Sequence, residues 1–437
     1  MRNRDGTAIG LMGAMSIGIG GMVGGGIFAV LGEAVTLAHG ATALAFLFAG
    51  LVALLTSYAY TKLSLRYQSR GGTVSFIDQA FQHNLLSGSM NFLLWLSYLV
   101  TIALYAVAFA SYAQTFFPAL HAAWLKHLFI SLAILLPVLI NLVSAAIVSR
   151  SETVIVLIKL LLLALIIVTS LGFVDTSRLS PSRWGDTVSI IVAGMIIFVA
   201  YEGFELIANA AEDISNPEKN LPRAFYGSVV LVIMLYLLIA VITVGVVPES
   251  QLAQAKDYAL AVAARPALGQ LGFTLVSVAA LLATFSAINA TLYGNARLSF
   301  ILAREGELPT RLAEQKGDNP VMGVLVTALI SLLLANTIDL TEIAIIGSAS
   351  FLLVFFLVNL GAYRLHKAIH ASRLILLIAS LASGVALLTL MFHTWSTHRS
   401  AVLTFLAFIG ASLLFEWGYG RRVRGHFLAR PYTPERP

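Results

Sequence analysis

Three groups of residues could do chemistry here, and all three lie where chemistry is scarce. Glycines crowd the stretch Gly18 to Phe28, "GIGGMVGGGIF", and end in the triplet Gly24-Gly25-Gly26. Two acids, Glu202 and Glu205, interrupt "IIVAGMIIFVAYEGFELIANAAED". One base, Lys159, stands alone in "TVIVLIKLLLLAL". Each is set in an apolar run, and an ionisable residue at membrane depth is by default a pointer to function.

The glycines pose a definite chemical question, because each costs a helix about 1 kcal/mol relative to alanine. Helix packing is one answer: Gly20/Gly24 and Gly21/Gly25 are GxxxG pairs that let two membrane helices approach. Packing does not require a triplet, nor does it predict a second interruption at Glu202 to Glu205. Unwinding answers both. A helix opened at mid-membrane frees N–H groups at the start of its second half, which favour a carboxylate. It also frees carbonyls at the end of its first half, which favour an ammonium or a cation. Adjacent holders of both signs suit a zwitterion, and so an α-amino acid. The pattern Gly24-x-Gly26-x-x-Ala29 also fits a dinucleotide fingerprint, but that needs a strand before it, and none is available.

The elements that must position these groups are membrane helices. Of 437 residues, 59% are hydrophobic and 11% charged, against about 25% charged in soluble domains; mean hydropathy is +0.89. Runs of roughly 20 apolar residues, the length that crosses a bilayer, recur throughout. Twelve spans are expected, at about 8–37, 41–66, 86–117, 124–148, 152–173, 188–214, 222–247, 269–302, 321–339, 341–365, 373–393 and 399–418. The first run is long and glycine-interrupted and reads as a mature span rather than a cleaved leader. With both termini cytoplasmic, only Lys126, Arg178, Arg183, Lys256, Arg265 and Arg399 fall outside, as the positive-inside rule demands. That bias accounts for the +6 charge without a nucleic-acid partner. The outer loop 248–268 reads as a short amphipathic helix over the surface, and the tail 419–437 as solvated and loosely ordered.

Other classes find little support. There is no cysteine, hence no disulfide or thiol chemistry. No HExxH, Walker A or nucleophile elbow marks an enzyme, no repeated filter marks a channel, and the histidines show no metal spacing. No metal or cofactor is expected. Interrupted helices five spans apart instead point to a secondary transporter built from two inverted repeats. These would be residues 8–173 (spans 1–5) and 188–365 (spans 6–10) of one transmembrane domain, with spans 11 and 12 at 373–418.

"MVGGGIF", "FVAYEGFE…AAEDISNPEKNLPRA" and "SAINATLYGNARLSFILAREGELP" resemble the amino acid–polyamine–organocation (APC) permeases over essentially the whole chain. The resemblance implies an all-α polytopic fold of LeuT-like 5+5 type, with helices 1 and 6 discontinuous. It implies that Gly24, Gly25 and Gly26 form the carboxylate-binding turn, between Met22 and Val23 at the carbonyl end and Ile27 beyond. Phe198, Val199, Ala200 and Tyr201, with Glu202 and Gly203 after them, match the span-6 segment that holds the amino group and shapes the pocket. Val199 departs from the bulky aromatic frequent at this gate position, which suggests a roomier pocket or a gate moved to Phe198 or Tyr201. Lys159, with "TSYAYTKLSLRY" and "ALAVAARPALGQLGF", resembles the ApcT-type proton-coupled permeases, in which a span-5 lysine replaces a sodium ion; the competing reading of Lys159 is a permanently charged strut. Glu205 matches a recurrent carboxylate with a structural or coupling role. Glu202 points at the cavity or is hydrogen-bonded behind it. Ser286 and Asn289 face Lys159 and the substrate, or serve interhelical bonding. The expected activity is proton-coupled, sodium-independent amino acid symport by alternating access at the inner cell membrane. The alternatives are an amino acid exchanger and a polyamine or cation carrier.

Overall fold

A computed structural model describes residues 9–117, 123–143, 145–315 and 320–423. It is all-α: among the described residues the β contacts are two isolated bridges, Ile9 with Ile214 and His39 with Trp184. The first span is a bent pair, α1 (Leu11–Met22) and α2 (Gly26–Ala38), turned by 46° at the glycine triplet. Next come α3 (Thr42–Arg66), the short α4 (Thr73–Phe81), α5 (Leu85–Gln114), α6 (Ala123–Val143) and α7 (Ala145–Ser170). The sixth span runs from α8 (Thr187–Ile196) through a 3-10 segment, Ile197–Glu205, into α9 (Leu206–Asn209). After it follow α10 (Pro217–Val246), α11 (Glu249–Gln254), α12 (Ala259–Ala263), α13 (Arg265–Arg304), α14 (Val321–Thr337), α15 (Leu340–Arg364), α16 (Arg373–Thr397) and α17 (Arg399–Phe415).

Burial sorts these helices into a centre and a rim. In the sixth span 89% of the apolar window is buried, and in α5 and α15 83%, against 28% in the α17 region. The rim helices show leucines outward, such as Leu135 and Leu139 on α6, Leu157 and Leu161 on α7, and Leu381 and Leu388 on α16. In lipid such faces need no cover, and helix association rests on close packing of small residues and interhelical hydrogen bonds. The α1 half packs on α10 and on the 3-10 segment, α3 on α10, and α13 on α5 and α7. The chain is a multi-pass helical membrane protein.

Among the described residues ten helices are long and apolar enough to span, eleven with the bent pair. The ninth expected span forms as α14, whose 17 residues cover about 25 Å, short of the ~30 Å hydrocarbon core. Helix α4 lies between the second and third expected spans. Its nine residues are too few for a span, yet nearly all are buried. The outer loop does not form one amphipathic helix: it breaks into α11 and α12 at Lys256–Tyr258, with Leu260, Ala261 and Ala263 buried. The break lets Lys256 and Asp257 turn inward. The tail is helical as far as Val423, and Tyr419 Oη donates to Leu308 O (3.0 Å). The rest of the tail, with Arg2, Arg4 and Lys316, lies outside the described residues.

Candidate functional site

The turn between α1 and α2 is made by Val23, Gly24 and Gly25. Val23 N–H closes the first half-helix on Ile19 O (2.7 Å), and Ala29 N–H on Gly25 O (3.0 Å) opens the second. The N–H groups from Gly26 to Phe28 are therefore the first-turn donors that a helix leaves without an internal acceptor. The glycines are not there for backbone freedom: among the described glycines positive φ occurs at Gly72, Gly269 and Gly306, none of them in the triplet. They are there for space. A Cβ on Gly25 would lie 2.3 Å from Tyr105 Cδ1, one on Gly26 2.7 Å from Ala200 Cα, and one on Gly24 2.8 Å from Ala287 Cβ. Ile27, Met22 and Val23 are fully enclosed.

The opposing segment, Ile197–Glu205, is nine residues of 3-10 helix, where runs beyond three or four are uncommon and side chains three apart eclipse. Its sequence has that period: Phe198-Val199-Ala200, Tyr201-Glu202-Gly203, Phe204-Glu205. The small residues form the face against span 1, Ala200 on Gly26 and Gly203 on Gly21. The aromatic face turns the other way. Phe198 and Phe204 meet Phe355 on α15, and Tyr201 meets Tyr236 on α10 and donates to Phe46 O (3.0 Å). Val199 packs towards Gly347 and Val100. Ser348 stitches the start of the segment, its Oγ donating to Ile196 O (2.6 Å) and accepting from Val199 N–H (2.9 Å).

One hydroxyl joins the two breaks. Tyr236 Oη lies 2.7 Å from Met22 O and 3.3 Å from Ala200 O, so the carbonyl ends of both interrupted spans converge on a single donor. The third face of the 3-10 segment carries the acids. Glu205 accepts from Tyr98 Oη (2.5 Å), Thr73 Oγ1 (2.8 Å) and Tyr60 Oη (3.0 Å), three hydroxyls from three helices. Glu202 is 4% exposed, and no described donor reaches its Oε2.

Lys159 is 2% exposed on α7, which packs against both α1 and α13. Ser286 is half-buried on α13. Asn289, one turn on, accepts from Asn141 Nδ2 of α6 (2.7 Å), which is the interhelical role. At the α2 end Lys256 pairs with Glu33 and donates to Thr341 Oγ1 (2.8 Å), which in turn donates to Glu33 Oε2 (2.9 Å). At the opposite end Asn91 Nδ2 donates to Asp78 (3.1 Å) and Glu307 (2.9 Å), beside His83. Asp78, His83 and Glu307 each offer one metal-ligating atom within 4.8 Å of the others, a grouping that sequence spacing did not reveal. Asp186 caps α8 through Val188 and Ser189, and the Ser189 hydroxyl and N–H hold its carboxyl below the usual carboxylate range.

Sequence reasoning missed Tyr236, Tyr105, Ser348 and the hydroxyls around Glu205. The triplet period from Phe198 to Glu205 was a readable signal; the partners on other helices left none.

Two interrupted spans thus meet, carbonyl to hydroxyl, inside a helical bundle. The amino acid permease family model matches residues 9–415, and the chain belongs to that family of transporters. It is 34% identical over 430 residues to an uncharacterized protein of Methanocaldococcus jannaschii, covering 96% of this chain and 97% of that one. It is 33% identical to the inner membrane transport protein YbaT of Escherichia coli (94% and 96% covered). To the branched-chain amino acid permease BcaP of Bacillus subtilis it is 24% identical (80% and 79% covered).

Proposed function

We propose that this chain is a secondary active amino acid carrier of the inner cell membrane, a proton-coupled and sodium-independent symporter working by alternating access with both termini cytoplasmic. The observation that carries the reading is the convergence of Met22 O and Ala200 O on Tyr236 Oη. A point where two carbonyls share one donor is a point where an ammonium, with three donors, can replace it. The substrate carboxylate then takes the N–H groups of Gly24 and Gly25 in the turn and of Gly26 and Ile27 at the start of α2, with Phe198 to Gly203 as the second wall. Lys159, Glu205 and Ser286 form the coupling side: Lys159, buried on α7, takes the part of a bracing cation, and the hydroxyl cage around Glu205 ties the 3-10 segment to α3, α4 and α5. We read spans 1–5 and 6–10 as the two repeats, because each begins with an interrupted helix. The YbaT relative, an inner membrane transport protein, and the BcaP relative, a branched-chain amino acid permease, support the membrane and the substrate class.

The test is uptake of labelled amino acids into liposomes with an imposed pH gradient and no sodium. Symport requires accumulation that follows the gradient. Uptake that ignores the gradient and needs internal amino acid makes the protein an exchanger instead.

A further inference from the structure

The segment Ile197–Glu205 gives its three faces three tasks, and one residue is left without a structural one. Ala200 and Gly203 are consumed by contact with Gly26 and Gly21. Phe198, Tyr201 and Phe204 are consumed by the aromatic cluster. On the third face Val199 closes against Gly347, and Glu205 is bonded to three hydroxyls. Glu202 lies between these two, about 6 Å along the axis from each. The residue is 4% exposed and its Oε2 meets no described donor.

A buried carboxyl oxygen without a donor is expensive, and this one is placed beside the break. Tyr98 and Tyr105, seven residues apart, lie on one face of α5; Tyr98 bonds Glu205 and Tyr105 covers Gly25. Glu202 is within electrostatic reach of both tyrosines, of Tyr60 and of Glu205. Its Oε2 is a buried acceptor that no described donor satisfies.

We propose that Glu202 sorts substrates by side-chain charge, receiving the ammonium or other hydrogen-bond donor of a basic or polar amino acid side chain and excluding acidic ones. This rests on the amino acid reading of the site. A carboxylate facing a substrate carboxylate is a repulsion in low dielectric, whereas an ammonium gives a charge-assisted bond.

The experiment measures dissociation constants for lysine, leucine and glutamate on the purified full-length protein, by ligand-induced thermal shift, for the native protein and for Glu202→Gln, Glu202→Leu and Glu202→Asp. The native protein is expected to bind lysine better than glutamate. In Glu202→Gln and Glu202→Leu the lysine-to-leucine affinity ratio should fall at least about tenfold, and Glu202→Asp should recover part of it. A ratio that stays constant while all affinities fall together would make Glu202 structural and overturn the proposal. So would native binding that favours glutamate. Native protein that binds none of the three but binds another class of solute would overturn the amino acid reading itself.

Discussion

Gly203 and Gly21 meet backbone to backbone. A Cβ on Gly203 would lie 2.2 Å from the Gly21 carbonyl carbon, and one on Gly21 would lie 2.9 Å from Gly203 Cα. Neither obstacle is a flexible side chain, so the two interrupted spans must separate to admit a methyl group. Overpacking of this kind costs about 1–3 kcal/mol. Gly203→Ala is therefore expected to lower the melting temperature in detergent, and to do so more than Gly21→Ala because its contact is closer. The reverse order of melting temperatures would mean that the segment shifts freely.

Tyr236→Phe removes one hydroxyl and leaves two buried carbonyls, Met22 O and Ala200 O, without that donor. The empty protein should lose about 0.5–1.5 kcal/mol. An amino acid whose ammonium fills the vacated point should then stabilise the variant more than it stabilises the native protein. Thermal unfolding with and without substrate reads both effects. Equal stabilisation of the two proteins would place the ammonium elsewhere.

How far the sequence foretold this site depends on the kind of residue. The glycine triplet and the "YEGFE" break could be read because they violate the helix pattern locally, and a violation is visible in one dimension. Their spatial roles could not. The triplet was expected to serve the turn, but its glycines are needed because Tyr105, Ala200 and Ala287 arrive from other elements. Tyr236 and Ser348 are ordinary residues within long apolar runs, and only the tertiary fold brings them to the breaks. Helix α4 went unread for a related reason: it is too short for a span signal, though it supplies Thr73 to Glu205.

Glu205 offers a test of a shared network. Tyr98→Phe, Tyr60→Phe and Thr73→Val each delete one of its three donors. Hydrogen bonds to a charged or buried group are worth about 1.5–3 kcal/mol singly, and groups in one network do not add. The Tyr98→Phe/Tyr60→Phe double variant should therefore lose measurably more or less stability than the sum of the singles. Strict additivity would show that the hydroxyls act independently.

Acid should weaken the start of the sixth span. The Ser189 hydroxyl, aided by the N–H groups of Ser189 and Val188, holds the exposed Asp186 carboxyl below the usual carboxylate range. A carboxylate depressed in the folded state adds stability above its unfolded value, about pH 4, and loses it as the pH falls through the folded value. Asp186→Asn keeps a capping oxygen but not the charge. Melting temperatures of native protein and variant should differ above pH 5 and converge as the pH drops below the folded value; a constant gap would remove the charge from the cap.

At the α2 end the loop between α10 and α13 acts as a strap on the second half of span 1. Lys256 pairs with Glu33 of α2 and bonds Thr341 of α15, and its carbonyl lies where a Cβ on Gly32 would be, 1.9 Å away. Asp257 meets Ser111 of α5 (3.2 Å) and Lys126 of α6 (3.8 Å), while Glu249 bonds His39 (2.5 Å). Beneath the strap Ala29, Val30, Leu340 and Ala344 line a small cavity. In a carrier that alternates, α2 must move off this strap before the site opens on that side, so weakening the strap should raise the open population. The chain has no cysteine, which allows a single reporter, Ala344→Cys, without background. Lys256→Met, which keeps much of the stem but not the charge, should make that cysteine react faster with a membrane-impermeant maleimide. A saturating substrate that closes the site should slow it again. Unchanged labelling in Lys256→Met would mean that the ion pair is an ornament of the loop and that Gly32 and the buried α12 hold α2 in place without it.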